Sequence, residues 1–324
     1  MVHRYLHVAN GTSVTMTLET AGVPGLRSIW SDPLYEGPVP AGLTDEELRE
    51  VRGTYLGGGA VADPMNDMRR WRDVIADRTS YDELVLWYEH DLFDQLNLIQ
   101  LLTWIRSNLP AGNVASLICI GSFPGRPQFR GLGELAADEL ASLFDTRRRV
   151  SDGEYSLAER AWRVFREPAP EALDDLRRSD TSALPFLASA LERFLQEYPW
   201  TKDGLSRTER RLLQLAERGP MVMNAVFPRM NDDEKAYYVT DLSLAALVAT
   251  LSKTSPPLIA YANEDRSGNF WKGTVTLREG GREVLAGGRD RVACGLDKWL
   301  GGVHLRSGDA DWRWDETQRR IVLY

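Results

Sequence analysis

The sequence predicts an α/β fold. A Rossmann-like parallel sheet with flanking helices occupies the N-terminal part, helices fill the middle, and a winged-helix-like α+β module ends the chain. Three observations predict this. Over residues 1–125 short apolar runs alternate with amphipathic segments, the pattern of a parallel sheet covered by helices. Residues 132–218 carry helical periodicity with loop breaks. The last third sets small strands after helices and closes on DWRWDETQRRIVLY, a hairpin with both strands half-buried. These shifts divide the chain into residues 1–130, 131–200 and 201–324.

The elements follow in order. YLHVA (5–9) reads as a short buried strand. After Asn10-Gly11, Thr12 or Ser13 can cap a helix that Gly22 ends. Ser28-Ile29-Trp30 is a second strand, broken by Asp32-Pro33. Tyr35 to Pro40 holds two prolines and a glycine, which exclude regular structure. Thr44 and Glu47 form a capping box that opens a helix. Residues 62–79 read as a helix leading into a strand at 84–88. Residues 92–106 carry apolar residues at helical spacing, and VASLICI (114–120) is a fourth strand. Ser206 and Glu209 form another capping box before ERRLLQLAERG, which Gly219-Pro220 ends. A further helix is expected over 234–252, then strand, turn and short helix in KGTVTLREGGREVLAGG.

Composition narrows the class. The chain has 324 residues, 43% hydrophobic and 27% charged, the balance of ordinary globular proteins. Its two cysteines, Cys119 and Cys294, form no CxxC or Cys/His cluster, so a structural zinc site is not expected. Cys119 lies in an apolar run, where a buried inert thiol is expected. No run approaches the roughly 18 apolar residues of a membrane span, and the N-terminal run is too short for a signal-peptide core. A cytoplasmic protein without membrane contact is expected. Net charge is −8, unevenly spread: residues 201–324 hold 19 Lys/Arg and 17 Asp/Glu, leaving 20 and 30 to residues 1–200. The acidic part argues against wrapping nucleic acid, and the near-neutral C-terminal module leaves that partner open.

The strongest functional signal is WYEHDLFDQ (87–95), where Glu89, His90, Asp91, Asp94 and Gln95 follow an apolar strand. In open parallel sheets ligands sit beyond the carboxyl ends of strands. Acidic residues in a helix's first turn gain roughly 0.3–1 kcal/mol each from the helix dipole, which explains one or two of them but not the group. His90 at a strand exit suits an acid/base or a ligand. Asp91 and Asp94 share a helical face and suit orienting it or binding polar groups. A divalent metal is the less favoured cofactor reading, because adjacent residues seldom all point at one ion. Asn10, Gly11, Thr12 and Ser13 lie between a strand and a helix, a turn that suits an anion. Asp32 and Glu36 sit in a rigid proline loop that can hold a carboxylate against a ligand. His7 and His304 read as core histidines. Trp312-Arg313-Trp314 and Asp297-Lys298-Trp299 read as an aromatic core with a cation–π contact. Arg147-Arg148-Arg149 reads as a solvated helix end. No GxSxG, kinase or P-loop pattern occurs.

Several stretches together resemble a bacterial family known as domain of unknown function 1835, with its companion C-terminal domain of unknown function 3658. They are LHVANGTS, SDPLYEGPVP, LWYEHDLFDQLNLIQLL, SALPFLASALERFLQEYPWTKDGLSRTERRLL and GLDKWLGGVHL with the following DWRWD. The resemblance spans nearly the whole chain and implies a two-domain architecture. That family carries no established activity. In its pattern an acidic residue often follows the first Asn-Gly, where this chain has Thr12.

The expected function is binding of a small polar metabolite bearing phosphate or several hydroxyls, such as a nucleotide or sugar derivative. Hydrolysis or group transfer would follow if the protein is an enzyme. The alternative is a ligand-sensing DNA-binding regulator. It requires a basic face formed by Arg207, Arg210, Arg211 and Lys272. A third reading is an interaction protein without catalysis.

Overall fold

The computed structural model describes residues 3–57, 63–110, 112, 114–265, 267–309 and 312–324. The chain divides into two compact units: Met1–Leu191 with Gly301–Val303, and Glu192–Leu300 with His304–Tyr324. The mixed α/β class expected from sequence is observed, with a five-stranded, mostly parallel sheet and twelve α-helices among the described residues.

The first unit contains β1 (Tyr5–Ala9), α1 (Thr12–Thr20), β2 (Leu26–Ile29), β3 (Gly37–Pro38), α2 (Asp45–Gly57), α3 (Pro64–Ala76), β4 (Glu83–Glu89), α4 (Leu92–Asn108), β5 (Ala115–Ile120), α5 (Ala137–Ser142), β6 (Arg148–Arg149), α6 (Asp152–Phe165) and α7 (Glu171–Arg178). The two-residue β3 lies inside the proline loop, where the sequence predicts no regular structure. Ala62, the first residue of the helix expected over 62–79, lies outside the described residues. The sheet order is β2-β1-β4-β5-β6. Strands β2, β1, β4 and β5 are parallel, and β6 runs antiparallel on β5. Of the three arginines expected at a solvated helix end, Arg147 closes the short 3-10 helix Phe144–Thr146, while Arg148 and Arg149 lie beyond it. Ser151 and Glu154 form a capping box that starts α6 only at Asp152, so Arg148 and Arg149 form an edge strand. Arg147 Nε pairs with Glu83 Oε1 at 3.1 Å.

Strand alternation sorts the core into faces. Ala9, Val85, Trp87 and Ile118 pack with Val14 and Leu18 of α1 and Leu140 of α5. Helix α4 packs against β4 and α6 and is buried nearly all round, as a helix between layers must be. Its buried amides are satisfied: Gln100 Oε1 accepts from Trp30 Nε1, and Asn97 bonds the Asp32 backbone twice. His7 is the expected core histidine. It is fully buried, with Nδ1 accepting from Trp87 Nε1 and Nε2 facing the Pro24 carbonyl.

Helix α8 (Leu187–Leu195) carries the chain into the second unit. That unit contains α9 (Arg207–Glu217), β7 (Met221–Val222), α10 (Met223–Met230), α11 (Asp241–Ser252), β8 (Ile259–Ala262), β9 (Thr274–Leu277), α12 (Glu279–Leu285), β10 (Asp297–Gly301), β11 (Val303–Arg306), β12 (Trp312–Asp315) and β13 (Arg320–Leu323). Strands β7, β9 and β8 form an antiparallel sheet in that order, and β12–β13 is the expected hairpin. The helix expected over 234–252 begins only at Asp241. The Asn231 amide bonds both the N–H and the carbonyl of Val239, which holds the preceding segment as a loop, and Thr240 then caps α11. Arg193 is buried between Glu197 and Glu234, which keep Lys298 and Arg207 as further partners, so its truncation breaks a buried network without leaving either carboxylate alone. Arg193→Ala is expected to lower stability by about 1.5–3 kcal/mol in a urea titration; a loss under about 1 kcal/mol would mean the network is solvated. Among the described residues no helix is long and apolar enough to cross a membrane.

Candidate functional site

The sheet places the site. From β1 the chain pairs β2 on one side, then returns to β4 on the other. Such a reversal opens a crevice at the carboxyl ends of the two central strands. Ala9 pairs with Trp87, so Asn10 and Glu89 leave the sheet at nearly the same level.

Glu89 is the last residue of β4, and Asp91 is the N-cap of α4. Asp91 Oδ1 accepts from the Asp94 N–H at 2.8 Å. Asp94, in the first turn, is fully buried. Its Oδ2 accepts from the Glu89 N–H at 2.8 Å and from Asn10 Nδ2 at 3.1 Å, while its Oδ1 is buried without a hydrogen bond. Gln95 Nε2 donates to the Glu89 carbonyl at 2.7 Å. Glu89 Oε2 accepts from the Leu132 N–H. One oxygen each of Glu89, Asp91 and Asp94 lies within 4.8 Å of the others. Glu89 and Asp94 are buried, and Asp91 is partly exposed. Among the described residues none of the three has an ion-pair partner.

Burial and mutual repulsion therefore set the charge state. Burial, then the neighbouring Asp91, pushes the Glu89 carboxyl up to about 8. Burial pushes Asp91 up to about 6, against the backbone N–H groups of Asp94 and Phe93. Asp94 is held well above the carboxylate range by burial, Glu89 and Asp91. On the neighbouring strand Cys119 is partly exposed rather than fully buried, and the desolvation of its thiol pushes its pKa up to about 12.

Asn10 reaches this cluster through Asp94. Gly11, rather than Thr12 or Ser13, is the N-cap of α1, and no side chain caps that helix. A methyl group built on Gly11 would meet nothing within 4 Å, and Thr12 and Ser13 beside it are exposed. The His90 ring stands between Phe129 and Phe186, with centroids 6.1 Å from each.

Asp32 and Glu36 are brought together around a different group. Arg52 is buried against Asp32, with Nη2–Oδ1 at 2.5 Å, and its Nη1 donates to the Glu36 carbonyl at 2.7 Å. Sequence reasoning missed Arg52, Leu132 and Gly131. A Cβ on Gly131 would collide with Glu89 Oε1, so only glycine admits the carboxylate there. The glycines in Arg130-Gly131-Leu132-Gly133 were the only local signal.

In the second unit the four cations named for a basic face each meet an acid: Arg207 with Glu234, Arg210 with Asp203, Arg211 with Asp233 and Lys272 with Asp265, at 2.6–3.3 Å. Arg313 pairs with Asp290 and lies over the Tyr324 ring, giving the cation–π contact to a tyrosine. Lys298 pairs with Glu197. His304 is half-buried, 2.6 Å from Asp297 and stacked on Trp299.

No family model matches the chain, and no curated protein is similar to it at a significant level.

Proposed function

We propose that the first unit binds a small polar metabolite at the carboxyl ends of β1 and β4, and hydrolyses it or transfers a group from it. The ligand bears phosphate or several hydroxyls, as a nucleotide or sugar derivative does. One observation carries the reading: three carboxylates crowd together without an ion-pair partner beside an uncapped helix N-terminus. Such crowding costs stability, and perturbed acids in a crevice are a common mark of a functional site. The Asn10–Ser13 turn would receive the anionic part of the ligand. Glu89, which holds its proton at neutral pH, and Asp91, mostly ionised there, form an acid and base pair. In hydrolysis Asp91 would take a proton from the attacking water. Glu89 would return one to the leaving oxygen as its bond breaks. Asp94 and Gln95 would position Glu89, and His90 would be a second acid/base at the rim. Asp32 and Glu36 would shape the neighbouring loop through Arg52.

The sheet order supports the finer name Rossmann-like for the first unit. The order α9-β7-α10-α11-β8-β9 with sheet order β7-β9-β8 supports winged-helix-like for the second. The proposed likeness to the two domains of unknown function adds architecture to this reading and no activity.

A thermal-shift screen of nucleotides and sugar phosphates against wild type and His90→Ala/Asp91→Asn tests it. Asparagine keeps the helix cap. A ligand at 100 times its Kd adds roughly 2.7 kcal/mol. A shift that the variant loses is expected. A shift equal in both, or none with any compound, overturns the reading.

The DNA-binding regulator remains as a second reading because of the helix and strand order of the second unit. The pairing of Arg207, Arg210, Arg211 and Lys272 weakens it. Duplex DNA anisotropy at low and moderate salt decides: binding that falls steeply with salt would favour the regulator.

A further inference from the structure

We propose that Glu89, Asp91 and Asp94 form a site for one hard divalent cation, Mg2+ or Mn2+, which carries the anionic group of the ligand. This deepens the reading above and rests on its choice of site; with the ion bound, Glu89 and Asp91 serve as ionised ligands in place of the acid and base roles they have without it. Four observations lead to it.

The donor set is all oxygen, as hard cations require. The three donor oxygens lie within 4.8 Å of one another. Around a cation with bonds of about 2.1 Å, neighbouring oxygens are roughly 3 Å apart and opposite ones roughly 4.2 Å, so the three side chains need to close by only a small amount to hold one ion.

The carboxylates are already oriented. Each has one oxygen held by a backbone N–H: Glu89 Oε2 by Leu132, Asp91 Oδ1 by Asp94, and Asp94 Oδ2 by Glu89. Asn10 Nδ2 adds a second donor to Asp94 Oδ2. Outer-shell donors of this kind fix ligands in metal sites.

The Asp94 carboxylate points to a missing partner. It is fully buried, its Oδ2 has two donors, and its Oδ1 has none. One of its oxygens lies within 4.8 Å of an oxygen of Glu89 and of Asp91. A buried acceptor left unpaired is costly, and a cation among the three would satisfy it.

The charge pattern needs a mediator. A phosphate at the Asn10–Ser13 turn would lie beside three carboxylates, which would repel it when ionised. A divalent ion between them turns that repulsion into attraction. Partly exposed Asp91 gives the ion a way in, and water or ligand oxygens would complete its shell.

The test uses the full chain, stripped with chelator, and no metabolite. Mn2+ is titrated by calorimetry and by its electron-spin signal, with Mg2+ as competitor, on wild type, Asp94→Asn and the surface control Asp138→Asn. Asparagine keeps the acceptor for Asn10 and Glu89, and the metal-free melting temperature checks folding. One Mn2+ per chain is expected, displaced by Mg2+, with affinity at least about tenfold weaker in Asp94→Asn and unchanged in the control. No saturable binding at millimolar Mn2+, or equal binding in Asp94→Asn, overturns the inference. The two readings fail separately. Ion binding without any metabolite shift would defeat the metabolite reading alone. A metabolite shift in chelator from a protein that binds no ion would defeat this inference alone.

Discussion

Arg52→Ala is expected to lower the unfolding free energy by about 3–5 kcal/mol, read from the midpoint of a urea titration at constant slope. The side chains of Arg52 and Asp32 are 1% and 3% exposed. Nε lies 3.1 and 3.0 Å from the two Asp32 oxygens, and Nη2 lies 2.5 Å from Oδ1. The same guanidinium donates to the carbonyls of Glu36 and Pro33. Truncation removes every one of these donors at once. It strands a buried carboxylate and two loop carbonyls. The cost comes from the partners left behind rather than from the net worth of the pair. Asp32→Asn/Arg52→Met removes both charges, and is therefore expected to cost less than the two single changes added together. A loss below about 1 kcal/mol in Arg52→Ala would mean that water reaches Asp32, and would return that carboxylate to the ligand-binding residues.

The second large effect is a pH dependence. The folded protein holds the carboxyls of Glu89, Asp91 and Asp94 above their ordinary values, Glu89 at about 8 and Asp91 at about 6. The folded state therefore binds more protons there than the unfolded chain between about pH 4 and 8. The cluster is harmless below about pH 4, and its cost grows as pH rises from about 4 to 8. A tenfold change in a carboxyl's acidity on folding corresponds to about 1.4 kcal/mol. His7 works in the opposite sense, because burial lowers its pKa and favours the folded state once the unfolded imidazole is neutral. The clean measurement is thus the difference between metal-free wild type and Asp94→Asn across pH 5–8. Removing that charge is expected to stabilise the protein by about 1–3 kcal/mol at pH 8 and by much less at pH 5. A variant destabilised equally at every pH would mean that Asp94 is an ordinary hydrogen-bonded carboxylate.

Much of this was legible in the sequence because it is local. Alternating apolar runs point to the parallel sheet, since a strand buried on both faces must be apolar and a crossover must be long enough for a helix. Thr44 with Glu47 and Ser206 with Glu209 mark helix starts, because a cap needs only partners three residues apart. Glu89, His90, Asp91, Asp94 and Gln95 stand out because strand end and helix start fall within one short stretch. Local signals also misled. Residues 234–240 have helical composition, yet the Asn231 side chain competes for the Val239 backbone. Thr12 and Ser13 are good caps by type, but the turn puts Gly11 in that position.

The sequence by itself determined the α/β class, the level in the sheet at which polar residues gather, and the identity of the carboxylates. Tertiary structure alone decided what those carboxylates do. Asp32 met Arg52, 20 residues away, and became half of a buried ion pair. Glu89 met the backbone of Leu132, 43 residues away, and Asp94 met Asn10, 84 residues away, with no cationic side chain paired to them among the described residues. Whether a buried acid is neutralised by an arginine or left to hold a proton or an ion depends on which distant segment packs over it. That partner leaves no mark at the spacing a sequence pattern can read.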